Sequence, residues 1–453
     1  MDLTYTFNRI TKRGSVVATA KNLSPTIEYT YYVFDNSASE WKYDETHYIT
    51  AITGKNWTEC EMINVNGTYI YSVAEKALTA GNRYGSRFVE KITATGVAEQ
   101  TNWLWIGDDN GGSQGCRCYD CTSTGTYNIV YTYTPSECNY DLPSSQPKLS
   151  VTQGFYALNS GDSWANGLSM TFEGGFYKAT LANVNDKYIA LAPTEALSSS
   201  DDWNNAIRPE YNTSDGAKYT VNFMTYSGTG KTGGNSTWYV DGEGIDIDIS
   251  YRPADNYWEV KPFRTATIGT AGYATYSNGE KYTVSDATAM TVTANSASAV
   301  TLTEQESDVV YPANGGIILK GASGAVAKIN AVASDAVATL EGTNYLVGSG
   351  NATKDITAGD GIYVFNWDGT SASSIGFYKA NSGTLGAHKA YLDISGAGAR
   401  EFLSFNFEGE TTGISSMSRE GVANNECYNL AGQRVAQPTK GLYIVNGKKV
   451  VVK

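Results

Sequence analysis

A chain of 453 residues is too long for one hydrophobic core and is expected to divide into three or four domains. Its 47 Gly, 33 Tyr and 17% charged residues, with few long helical periodicities, point to an all-β protein. A formal charge of -13 argues against a nucleic-acid partner, which needs clustered Lys and Arg, and no run of about 18 apolar residues exists to span a membrane.

The first residues, MDLTYTFNRITKRGS, lack the apolar core of a signal peptide. For an exported protein, either the signal has been removed or the chain starts part-way into a longer one. The segment TIEYTYYVFDNSASEWKYD, ending at Asp44, favours the second option. It carries the aromatic pattern of two closing segments met further along, so residues 1–45 are expected to be the tail of a preceding β module.

Residues 46–146 read as the first complete module. It opens with YITAITGKNWTECEMINVNGTYIYSV from Tyr48, and a second copy, YALNSGDSWANGLSMTFEGGFYKATL, starts at Tyr156. At one fixed offset Tyr48 matches Tyr156, Met62 matches Met170, Gly67 matches Gly175 and Tyr69 matches Tyr177, while Gly54 and Trp57 match Gly161 and Trp164 after a one-residue slip. This sparse register marks an internal repeat. Each copy ends on a strand whose every second residue is large and apolar: Tyr127, Ile129, Tyr131 and Tyr133 in the first, Ile245, Ile247, Ile249 and Tyr251 in the second. That period predicts half-buried edge strands.

The first module holds five of the six cysteines, four of them crowded together as Cys116, Cys118, Cys121 and Cys138. Zinc sites usually pair two Cys-x-x-Cys knuckles, and only one is present, so disulfides stapling a long loop to the closing strand fit better. Cys60 and Cys427 are then left over. Upstream, Trp103 and Trp105 share one face of a strand about 7 Å apart. Such a pair belongs either to the core or, since the run continues into the polar loop GDDNGGSQG, to a rim that meets a ligand.

Residues 147–262 form the second module. Gly161, Asp162, Trp164, Gly175 and Tyr177 within it resemble the carbohydrate-binding-like β-sandwich modules of SusE-type starch-binding proteins. The resemblance covers part of each repeat. It implies tandem β-sandwiches that hold a polysaccharide or oligosaccharide on aromatic faces. Because Trp57 and Trp164 repeat, they are expected in the module cores. Trp103, Trp105, Trp203 and Trp238 do not repeat in register and are the candidate ligand-binding residues.

From residue 263 the composition shifts to Ala, Gly, Ser, Thr and Val, and of the 9 Trp only Trp367 lies beyond this point. Phrases such as YPANGGIILKG, GIYVFNWDG and GFYKANSGTLGAHKAYLDIS resemble a β-rich C-terminal domain of exported Bacteroidota proteins, here residues 263–412. Gly315 and Gly316 fit a tight turn between strands. The remainder, residues 413–453, includes ECYNLAGQRVAQPTKGLYIVNGKKVVVK, which resembles the C-terminal sorting segments of type IX secretion. Asn446-Gly447 there predicts a hairpin. The resemblance implies a secreted or cell-surface protein whose tail contacts the outer membrane or secretion machinery.

Catalysis finds little support. The two histidines, His47 and His388, have no nucleophile or carboxylate arrangement beside them that sequence singles out, and no local pattern selects a pair from the 46 acidic residues. No cofactor or metal is expected, although Asp108 with Asp109, Asp201 with Asp202, and Asp246 with Asp248 carry oxygen ligands of the kind calcium takes. The sequence thus points to a non-catalytic extracellular protein, or the rear part of a polysaccharide-degrading enzyme, that binds neutral polysaccharide. A structural or adhesive stalk of spacer modules and a glycoside hydrolase with an inter-module site are the alternatives.

Overall fold

The computed structural model describes residues 2–8, 13–19, 27–34, 41–42, 48–104, 117–138, 146–210, 219–233, 237–296, 298–394, 401–407, 415–417, 427–429, 434–435, 439–445 and 448–452. The chain is all-β, and among the described residues the one α-helix is the short Ser200–Asn205. It divides into two compact units. The first comprises residues 1–220, 227–241 and 248–260, and the second residues 221–226, 242–247 and 261–453.

The two copies of the sequence repeat build the same strand order. Ile63–Val65, Thr68–Leu78, Gly125–Tyr133 and Lys148–Thr152 lie side by side in that order, as do Thr171–Glu173, Phe176–Leu181, Asp246–Arg252 and Tyr257–Thr267. The hairpins keep the same register: Asn64 faces Tyr69 and Val65 faces Thr68, as Phe172 faces Tyr177 and Glu173 faces Phe176. The turns are alike because Gly67 (φ +86°) and Gly175 (φ +85°) both hold a left-handed backbone that a side chain would strain. The opening strands differ. Tyr48–Ala51 runs parallel to Arg83–Ala94, whereas Tyr156–Asn159 runs antiparallel to Tyr188–Ala192.

The closing strands are not edges. Gly125–Tyr133 is flanked on both sides, and Val130 and Thr132 are as buried as Ile129 and Tyr131. A Cβ at Gly175 would stand 3.3 Å from the Val130 side chain and closer still to Ile70, so the second hairpin packs onto the face expected to meet water. The ring of Tyr177 is fully buried there, its hydroxyl bonded by Asn128 Nδ2 at 3.0 Å and by the Thr152 hydroxyl. Tyr177→Phe keeps the ring and orphans those two groups. It should cost about 1 to 3 kcal/mol in urea unfolding, and a neutral result would show that water satisfies both.

The core of the first repeat gathers Ile52, Met62, Phe88, Tyr127, Ile129 and Tyr131. Ile27–Phe34, read from sequence as the end of an earlier module, pairs along its length with Arg87–Ala94 and contributes Tyr31 and Val33 to that core. Cys60 and Cys121 lie in it too, with Cys138 packed against it, and all three are free thiols. The disulfide staple expected from the spacing therefore does not form through Cys121 or Cys138. Both side chains act as small apolar fillers, and burial pushes the Cys138 thiol above its ordinary pKa. Cys116 lies outside the described residues.

In the second unit a nine-stranded sheet surrounds Met290, Val292, Leu302, Ile318, Phe377 and Leu392. Gly315 turns as expected, its N–H bonded to the Pro312 carbonyl at 3.0 Å. Gly316 instead opens the strand Gly316–Lys320, where an added Cβ would stand 2.7 Å from Ala390, so its constraint is close packing. At the end of the chain Gly441–Val445 pairs antiparallel with Lys448–Val452, Val445 facing Lys448, as Asn446-Gly447 leads one to expect; the turn itself lies outside the described residues.

Candidate functional site

The short helix Ser200–Asn205 carries Trp203, and local hydrogen bonds fix where it starts. Asp202 accepts from the N–H groups of Ser198 (3.0 Å) and Ser199 (2.8 Å), and the Ser199 hydroxyl accepts from the N–H of Asp202 (3.1 Å). This is a capping box, with its carboxylate at the helix's positive end. The Ser199 hydroxyl, then the backbone N–H groups, hold the Asp202 carboxyl below the usual carboxylate range. Asp202 is thereby engaged in the cap rather than presented with Asp201 to calcium.

Trp203 is half-buried, and a second half-buried indole, Trp164, meets it edge to face at 5.2 Å and 81°. Trp164 holds a left-handed backbone (φ 65°), rare for a bulky residue. Its N–H reaches both the Asn159 carbonyl (3.3 Å) and Asp162 Oδ1 (3.1 Å), and its carbonyl accepts from the Leu197 N–H (3.0 Å). Behind Trp203 the Arg208 guanidinium stands 4.8 Å from the ring centroid and donates to the Trp203 carbonyl at 3.3 Å. Arg208 is buried, and that burial lowers its pKa from the ordinary value. The result is a pair of indoles held rigidly at the surface by Leu158, Ala190 and Leu197 beneath.

The other candidates separate. Trp103, on the strand Gln100–Leu104, is 44% exposed and meets Phe34 edge to face at 4.5 Å. Trp105 lies outside the described residues. Trp238, expected at a ligand surface, is 0% exposed and packs edge to face on Trp258 at 5.2 Å. It is a core residue, because its strand Trp238–Val240 is covered on the face that carries the indole. The expectation that repeated Trp residues lie in the cores also fails: Trp57, like Trp164, is half-buried, resting edge-on against Tyr32 at 5.0 Å. The structure joins Trp164 to Trp203, two residues that sequence pattern assigned to opposite roles.

Of the histidines, His47 lies outside the described residues, as do Asp108 and Asp109. His388 stacks on Tyr276 at 5.8 Å, with Nδ1 3.2 Å from the Ser277 carbonyl. Burial, then the charge of Arg264, lowers its pKa. Asp248 accepts from the Thr180 hydroxyl at 2.7 Å. No cluster of three or more His, Cys, Asp or Glu side chains suited to a metal ion occurs among the described residues.

No family model matches the chain, and no curated protein does. Among solved structures, SusF from Bacteroides thetaiotaomicron is similar with a TM-score of 0.21 and 11% identity, over 84% of this chain and 92% of that one. The functional reading therefore rests on the chain's own residues.

Proposed function

We propose that this chain is a non-catalytic, extracellular glycan-binding protein that holds neutral polysaccharide on exposed aromatic faces. The observation that carries the reading is the rigid, half-exposed pair Trp164 and Trp203. Indole rings present a broad apolar surface to the CH face of a sugar and need no charge to do so, which suits a chain of net charge -13. Exposed Trp103 is a second contact of the same kind. Export to the cell surface, with residues 413–453 as the sorting segment, belongs to the same proposal and draws support from the terminal hairpin.

Affinity gels cast with soluble neutral polysaccharides test this directly. The native chain should be retarded by at least one, and Trp203→Ala should lose most of that retardation while its melting temperature falls by only a few degrees. Unretarded migration of the native chain on every gel would leave the spacer-stalk reading ahead.

A further inference from the structure

The strand Thr68–Leu78 carries a feature that the aromatic pair does not use. Opposite it, Tyr127 faces Lys76 and Ile129 faces Val73, so Ala74 and Glu75 both stand against Asn128 in a β-bulge. Glu75 holds φ 53° there, with its N–H bonded to Asn128 Oδ1 at 3.0 Å. At the matching place of the second repeat Asn183 has φ 54°. Asn tolerates that left-handed backbone well and Glu poorly, so backbone comfort does not explain a Glu in the first copy. Bulges re-aim a side chain, and they concentrate beside binding sites.

Beside the bulge lies a cleft of about 370 Å³, within the range of small-molecule sites. Glu75, Gln153, Tyr156, Ser169, Thr171 and Phe172 line it, and Glu75 is the one charged side chain among its described lining residues. Tyr156 also packs against the cluster under Trp164 and Trp203, and the rest of the lining is distinct from that surface.

We propose that this cleft is a second binding site, for a single neutral sugar unit. An exposed carboxylate accepts hydrogen bonds from two adjacent ring hydroxyls, and such charge-assisted bonds are the strong ones. The Gln153 amide and the Ser169 and Thr171 hydroxyls supply donors and acceptors for the remaining hydroxyls. The rings of Tyr156 and Phe172 offer apolar surface to the sugar's CH groups. With one carboxylate and no cation among the described lining residues, the cleft rejects anionic ligands.

Met170 is buried in the wall of the cleft and reports on it, while Met290 lies in the core of the second unit. With methyl-¹³C methionine in the full chain, D-glucose, D-galactose, D-mannose, D-xylose and glucosamine are titrated in turn. At least one neutral sugar should shift the Met170 methyl saturably and leave Met290 in place. Glu75→Gln should weaken that binding at least tenfold. Glu75→Gly, which suits the left-handed backbone, should do the same in a chain with unchanged Met62 and Met290 signals. Trp203→Ala should leave the Met170 response intact, so failure of the surface reading and failure of this one are distinguishable. No saturable Met170 shift with any neutral sugar, a response to glucosamine alone, or the native chain's affinity retained in both Glu75 variants would overturn the proposal.

Discussion

Trp238→Ala should destabilise the first unit by about 3 to 5 kcal/mol, the cost of truncating a fully buried aromatic side chain. The indole is 0% exposed and sits edge-on against Trp258, itself 1% exposed and edge-on against Tyr219 at 5.3 Å. Three rings thus lean on one another, and removing the first leaves a cavity that the neighbours cannot fill without leaving their rotamers. No hydrogen bond is lost, because the buried Nε1 of Trp238 has no partner among the described residues. The penalty is one of packing alone, and Trp238→Phe should recover at least half of it. Urea unfolding followed by Trp fluorescence measures both values. Glycan retention by Trp238→Ala should scale with the fraction still folded, whereas Trp203→Ala should remain folded and lose retention. A shift for Trp238→Ala no larger than a surface substitution gives, about 0.5 kcal/mol, would place the indole at the surface after all.

The contrast between these two residues shows where sequence pattern stops. The repeat itself, with Gly67 and Gly175 in register, was legible, because turn chemistry acts over a few residues and leaves a mark in each copy; that the closing strands are flanked on both sides was not. The burial of Trp238 was not. Failure to repeat was read as a sign of ligand contact, yet a core position also diverges when its neighbours differ, and Trp238 packs on the buried Trp258. Nor does sequence bring Trp164 to Trp203, since their meeting depends on Leu197 returning to the Trp164 carbonyl. The free thiols of Cys121 and Cys138 make the same point. Spacing along the chain says nothing about whether two sulfurs meet, and here Cys121 fills core space while Cys138 packs against it.

Asp255→Ala is the second substitution with a large expected effect, again about 3 to 5 kcal/mol, for an electrostatic reason. Arg252 donates from Nε to Asp255 Oδ1 (2.9 Å) and from Nη2 to Oδ2 (2.7 Å), with side chains only 5% and 16% exposed. Phe176 and Tyr257 flank the guanidinium at 5.1 and 4.9 Å from their ring centroids. Removing the carboxylate strands a buried charge whose Nη1 already has no hydrogen-bond partner among the described residues. Removing both partners does not, so Arg252→Met with Asp255→Ala should regain at least half of the loss. The first repeat provides the internal control. At the places of Arg252 and Asp255 it has Thr134, whose hydroxyl lies 3.0 Å from that of Thr68, and Glu137, which accepts from Gln146 at 3.3 Å. A neutral hydrogen bond there is worth about 1 kcal/mol, so Thr134→Ala should cost far less than Asp255→Ala although the two repeats share one strand order. A double-mutant cycle in urea at neutral pH measures the coupling between Arg252 and Asp255. A coupling below about 1 kcal/mol would mean that water reaches the pair and that it behaves as an exposed salt bridge.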